Sequence, residues 1–243
     1  MTAALASGLE MAKGLALAYS IPLMGVNHMQ AHALTPRLMS ALDGPVRSSI
    51  EPRFPYLSLL VSGGHTLLVL TRSLCEHTIL AATTDMAIGD AIDKMARSIL
   101  PSEELRRNEI MYGRLLERFV FGSDAKSYDY KAPHSRAEEI EPTQTRWGNL
   151  SVPFADKKDM KFTYSGLESS ITRICKKAGA EMGRSERVEL ARTAMRIAFE
   201  HLATRVIWAL KTLGPSSNIS TLVVSGGVAS NGFLQVMWVV NAP

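Results

Sequence analysis

Two apolar runs of β-type residues break at the same tripeptide. Tyr56-Leu57-Ser58-Leu59-Leu60-Val61 leads into Ser62-Gly63-Gly64-His65-Thr66. Much later, Ser220-Thr221-Leu222-Val223-Val224 leads into Ser225-Gly226-Gly227-Val228-Ala229-Ser230. A buried strand that stops at a glycine turn exposes backbone N–H groups at the sheet edge, where a phosphate or nucleotide can approach. Two such turns predict one ligand held between two lobes, in a duplicated-lobe α/β architecture.

The 243 residues suffice for one large domain or two small ones. Hydrophobic content of 46% with 21% charge is ordinary for a core-forming chain. No apolar run is long enough to cross a bilayer, so no membrane partner is expected. Residues 1–20 are apolar but carry no basic start, and Glu10 and Lys13 interrupt them. They read as a buried helix and not as a signal peptide. A net charge of +4 and a pI of about 9.1 permit nucleic-acid contact without demanding it. Cys75 and Cys175 lie far apart and form no CxxC pair, so they read as free thiols of a reducing compartment.

Helical spacing is legible over residues 8–20, and a short strand is expected at Leu23-Met24-Gly25-Val26. Asn27 is placed to cap a helix from His28 to Leu42, with Asp43-Gly44-Pro45 as its stop. Strands are expected at 56–61, 66–71 and 79–84, and a helix at 88–100. The charged run 102–110 reads as a solvated insertion. A short helix follows at 115–120, then an irregular insertion at about 122–160. Helices are expected at 165–178 and 187–213; beyond the second glycine turn no closing element is recognised.

His28 and His32 are four residues apart, so a helix presents both imidazoles on one face. That spacing suits two ligands of one metal, and no Glu follows the first His, so it is not the HExxH motif. Asp93, in Gly89-Asp90-Ala91-Ile92-Asp93-Lys94, is a candidate acceptor for ribose hydroxyls, or a first-turn aspartate favoured by the helix dipole. Asn231 either caps a helix or bonds a ligand. His201 reads as a core residue. No Walker loop and no GxSxG elbow is present.

Taken together, the chain resembles the tRNA N6-adenosine threonylcarbamoyltransferase family. The matching pieces are Ala12-Lys13-Gly14-Leu15-Ala16, Gly25-Val26-Asn27-His28-Met29-Gln30-Ala31-His32, Leu60-Val61-Ser62-Gly63-Gly64-His65-Thr66, Gly89-Asp90-Ala91-Ile92-Asp93-Lys94, Phe162-Thr163-Tyr164-Ser165-Gly166-Leu167 and Val224-Ser225-Gly226-Gly227-Val228-Ala229-Ser230-Asn231. They span nearly the whole chain in family order. The resemblance implies an α/β, actin/Hsp70-like two-lobe fold, with residues 1–50 the end of the first lobe and 51–243 the second. It implies transfer of threonylcarbamoyl from threonylcarbamoyl-AMP to N6 of adenosine 37, in tRNAs reading codons that begin with A. By the same resemblance Leu60, Val61, Ser62, Gly63, Gly64, Asp93, Gly113 and Asn231 would hold the adenylate. His28 and His32 would bind one divalent ion, iron or zinc. The wording after His32 is similar to the bacterial and mitochondrial branch, which implies a mitochondrial enzyme, with the cytoplasm as alternative. A homodimer is among the implied partners.

The chain also departs from that pattern. The family's acidic N-terminal strand and a third metal ligand, an aspartate beyond Asn231, are not in it; Glu168 stands where a lysine is common. The expectation is therefore an incomplete, poorly soluble chain that does not catalyse transfer by itself. A non-catalytic nucleotide-binding partner of the same fold is the competing reading.

Overall fold

A computed structural model describes residues 3–42, 50–106, 111–122, 128–155 and 158–241. Its first helix, α1 (Ala3–Ala18), is rich in the good helix formers Ala, Leu, Met and Lys, yet none of its residues is buried. The expected buried helix is thus corrected to an exposed one. Residues 23–26 stay unpaired and exposed, correcting the expected strand. A strand needs a neighbour to satisfy its N–H and C=O groups, and no described strand lies beside this one. Asn27 caps α2 (His28–Leu42) as expected: its Oδ1 accepts from the N–H groups of Met29 at 3.0 Å and Gln30 at 3.1 Å. The expected stop at residues 43–45 lies outside the described residues.

β1 (Tyr56–Val61) and β2 (Thr66–Thr71) form the expected hairpin, with Val61 opposite Thr66. β3 (His77–Thr83) runs antiparallel to β2. α3 (Ile88–Ile99) buries Ile88, Ala91, Ile92, Met95, Ala96 and Ile99, a stripe at helical spacing, and ends before Pro101. The charged run opens as a single turn of helix, α4 (Ser102–Leu105); its residues 107–110 lie outside the described part. α5 (Tyr112–Phe121) follows. The insertion is not irregular throughout: it holds α6 (Arg136–Ile140) and a hairpin of β4 (Thr143–Thr145) and β5 (Gly148–Leu150). Then come β6 (Lys161–Phe162), α7 (Ser165–Ala178) and α8 (Arg184–Leu213). β7 (Leu222–Ser225) and α9 (Gly232–Asn241) complete the described chain, so a closing element does exist.

The main sheet has the order β6-β3-β2-β1-β7 and is mixed: β7 lies parallel to β1, and β6 parallel to β3. All six residues of β1 are buried, which explains why Ser58 alone interrupts its apolar run. Each fully buried Leu or Val there contributes roughly 1.5–3 kcal/mol. Because β1 and β7 are neighbours, the two glycine turns sit side by side on one sheet. The shared strand-turn wording reflects two parallel neighbours that end together at one edge of the sheet. α8 is buried from Leu190 to Ala209 along most of its length and forms the spine of the helical layer. Apart from Ala33 and Pro52, every buried apolar residue described lies between Tyr56 and Met237.

Candidate functional site

The first glycine turn is tied by its own serine. Ser62 Oγ accepts from the N–H groups of Gly64 at 3.3 Å and His65 at 3.0 Å, and the Ser62 N–H donates to the His65 carbonyl at 2.9 Å. The start of α3 is pinned to it. Gly89 N–H donates to the Ser62 carbonyl at 3.2 Å, and Ile88 N–H to Thr66 Oγ1 at 2.9 Å. That approach needs a glycine: a Cβ on Gly89 would lie 2.7 Å from the Gly63 nitrogen. The second turn needs one too. Gly226 has φ +108, and a Cβ there would overlap the carbonyl of Val61.

Asp93 lies in the second turn of α3. Its Oδ1 accepts from the N–H of Gly113, near the start of α5, at 2.8 Å. Burial pushes the Asp93 carboxyl up, against the opposing pull of the Gly113 N–H and the Arg97 guanidinium. Asn231 does cap a helix: its Oδ1 accepts from Leu234 N–H at 3.1 Å and so fixes α9. Glu117 of α5 was not legible in the sequence. It accepts from Gly232 N–H at 2.7 Å and from the Tyr128 hydroxyl at 3.0 Å, clamping α5 to the start of α9. Its partners lie far along the chain or on an irregular segment, so no local spacing announces it.

These pieces enclose a cavity of about 310 Å³ at the carboxyl ends of β1 and β7. Gly63, Asp93, Gly113 and Asn231 line it, joined by Gly227, Arg114 and Glu117. A crevice beyond the carboxyl ends of parallel strands is the usual ligand position in open α/β sheets, and this volume lies in the range of small-molecule sites. Other expected residues take part differently. The side chains of Leu60 and Val61 are buried in the core, so only their backbone reaches this edge. Ser62 and Gly64 shape the turn and do not line the cavity.

His28 and His32 do not line it either. Their helix is held against the sheet: the Tyr56 hydroxyl donates to the Ala33 carbonyl at 2.9 Å, Gln30 Nε2 donates to the Leu74 carbonyl at 2.6 Å, and Met29 and Gln30 share a cleft with Leu67, Val69 and Ile79. The imidazoles themselves converge, with Nε2 atoms 3.2 Å apart. Two nitrogens at about 2.05 Å from a tetrahedral ion stand about 3.3 Å apart, so the pair fits as two ligands of one metal. Among the described residues no group of three or more His, Cys, Asp or Glu side chains is gathered for a metal.

Asp85 is a second residue the sequence did not reveal. It accepts from the hydroxyls of Thr163 and Ser165, each at 2.5 Å, and from the N–H groups of Tyr164 at 3.2 Å and Ser165 at 3.1 Å. Burial raises its pKa, but these bonds and that from Met86 N–H prevail and hold it at about 2. From the other side, His201 Nε2 accepts from Thr163 N–H at 3.4 Å. As expected, His201 is a core residue, and burial with the nearby Arg205 charge lowers its pKa to about 3.

The fold and cavity together define a mixed α/β protein with a nucleotide-sized crevice between two glycine turns. Residues 1–241 match the family model for TsaD, tRNA N6-adenosine threonylcarbamoyltransferase, and the chain belongs to that family. It is 38% identical over 239 residues to the mitochondrial tRNA N6-adenosine threonylcarbamoyltransferase of Schizosaccharomyces pombe, covering 98% of this chain and 50% of that one. A probable mitochondrial form from Arabidopsis thaliana is 32% identical over 243 residues, covering 94% and 43%. The transferase of Bordetella pertussis is 31% identical over 238 residues, covering 97% and 57%. The chain thus spans about half the length of the curated relatives it matches.

Proposed function

We propose that this chain carries the nucleotide-holding part of an enzyme that moves threonylcarbamoyl from threonylcarbamoyl-AMP to N6 of adenosine 37 in tRNA. The carrying observation is the single cavity that gathers Gly63, Asp93, Gly113, Gly227 and Asn231. The backbone of Gly63 and Gly227 faces the adenylate phosphate and stabilises its charge. Asp93 accepts from the ribose hydroxyls. Asn231, its carbonyl oxygen already engaged by α9, offers its amide nitrogen to the base or a hydroxyl. The mixed anhydride is already activated, so the adenosine amine attacks the carbamoyl carbon, the C–O bond to phosphate breaks, and AMP leaves without any protein nucleophile. A base in a single-stranded anticodon loop reaches such a site without opening a duplex.

His28 and His32 are proposed to hold iron or zinc, which when bound supplies Lewis-acid polarisation of an oxygen. The actin/Hsp70-like arrangement is proposed on family grounds. Its division at about residue 50 is supported by a described core that, Ala33 apart, lies beyond that residue. Mitochondrial localisation rests on the names of the fission-yeast and plant relatives. No described helix is long and apolar enough to cross a membrane.

AMP titration into the chain tests the proposal. Asp93→Asn keeps an acceptor for Gly113 N–H but loses the charge, and is expected to weaken AMP binding about tenfold, as for one charged hydrogen bond. Equal affinity in both proteins, or no binding, overturns the assignment. A second reading, a nucleotide-binding partner without transfer activity, is favoured by the position of the histidines outside the cavity lining. Metal analysis with His28→Ala separates the two, since only the transferase reading needs a bound ion.

A further inference from the structure

A larger cavity, about 520 Å³, lies between α6 and the second half of α8 and takes no part in the adenylate site. Arg136, Lys158 and Lys211 line it, with Trp208 as its aromatic wall. Its two carboxylates are already engaged. Glu139 pairs with Arg136 at 2.7 Å and accepts from the Thr204 hydroxyl; Glu200 pairs with Arg196 at 3.1 Å and accepts from the Tyr130 hydroxyl at 3.4 Å. Lys158 and Lys211 are exposed and have no ion-pair partner among the described residues. Behind the wall, Arg205 is 1% exposed. Its guanidinium lies 4.6 Å from the Trp208 ring, and its Nη1 and Nη2 make no hydrogen bond; only Nε donates, to the Lys161 carbonyl at 3.2 Å. Arg136 lies 5.1 Å from the same ring.

Arg136, Lys158, Lys211 and Arg205 thus face or back this cavity against Glu139, Glu200 and Asp159, the last felt by Arg205. A buried guanidinium with idle donors is costly, and an approaching anion offsets that cost. We infer that this cavity is a second contact for RNA, admitting one phosphodiester-linked nucleotide of a single strand, with Lys158 and Lys211 on the phosphates. The combination of aromatic wall, guanidinium groups and unpaired lysines is that of single-strand binders, and the volume suits one nucleotide. An acidic peptide would satisfy the lysines but not use the aromatic wall. The inference rests on the reading of this chain as part of a tRNA-modifying enzyme. The position is apt: Tyr130 lines this cavity, while its near neighbour Tyr128 bonds Glu117 at the adenylate site. RNA engaged here would lie against the segment that bonds Glu117, a residue lining the first cavity.

The test is fluorescence anisotropy of a labelled, mixed-sequence single-stranded oligoribonucleotide with the 243-residue chain across a salt series. Lys158→Glu with Lys211→Glu is expected to weaken binding at least tenfold. It should also flatten the slope of log K against log salt by about 1.4, two contacts at about 0.7 each on a single strand. Lys176→Glu with Lys177→Glu, the same charge change on the exposed face of α7, should leave the slope unaltered. Equal effects of the two pairs, no RNA binding by the unaltered chain, or displacement by hexaglutamate as effective as by unlabelled RNA would each overturn the inference. AMP binding is measured in parallel. If the chain fails to bind AMP while the lysine-dependent RNA binding persists, the adenylate assignment falls and this one stands.

Discussion

Asp85 and His201 grip the same short segment from two sides, and both titrate away from their ordinary values. Asp85 is held at about 2 against an ordinary 3.8, so its contribution is complete above about pH 4 and fades as the pH falls toward 2. His201 stays neutral when folded, down to about 3, whereas the unfolded chain takes up a proton near 6.5. Stability therefore declines as the pH drops from about 6.5. Urea unfolding across pH 2–7 should show both limbs, with Asp85→Asn flattening the lower and His201→Gln the upper. A profile unchanged by either substitution would show that the segment is held by other bonds. Gly89 is the other single position with a sharp prediction. Gly89→Ala drives a methyl into the Gly63–Ser62 backbone, and should cost about 1–3 kcal/mol in urea unfolding and impair AMP binding. At this scale the sequence revealed residues that carry a motif locally, such as Asp93 and the glycines. Asp85 and Glu117 stayed hidden because their partners are 78 to 80 and 115 residues away.

Helix termini carry the next set of effects. Asn231→Ala removes the cap of α9 and should lower stability by about 1 kcal/mol. Asn231→Asp keeps an acceptor for Leu234 N–H but loses the amide donor, so it should preserve stability while weakening AMP binding. If Asp and wild type bind AMP alike, Asn231 is only a cap. Hairpins and amphipathic helices were legible because their periodicity is local: β1, β2, α3 and α7 stand where the pattern put them. The strand expected at Leu23–Val26 fails for the opposite reason. Its composition suits a sheet, but strand formation depends on a neighbour, and none of the described strands provides one. The pairing of β7 with β1 was illegible on the same grounds, since parallel register leaves no mark in either strand alone.

At the scale of the molecule, burial is uneven. α1 exposes Leu5, Leu9, Met11, Leu15 and Leu17, and Tyr19, Ile21, Leu23, Met24 and Val26 continue the apolar surface. Contiguous exposure of this kind promotes aggregation. Leu9→Lys with Leu15→Lys should reduce the light scattering of concentrated protein without shifting the unfolding midpoint, because neither residue is buried. A shifted midpoint would show that the helix packs on the core in solution. The crevice proposed to hold the adenylate has a different dependence on the whole chain. One of its glycine bends follows β1, while the other follows β7, which docks only after the long α8 has been made. On the ribosome, then, a nascent chain would hold half a binding bed until β7 had followed α8. Affinity for the proposed nucleotide would arrive abruptly, once Asn231 had cleared the exit tunnel.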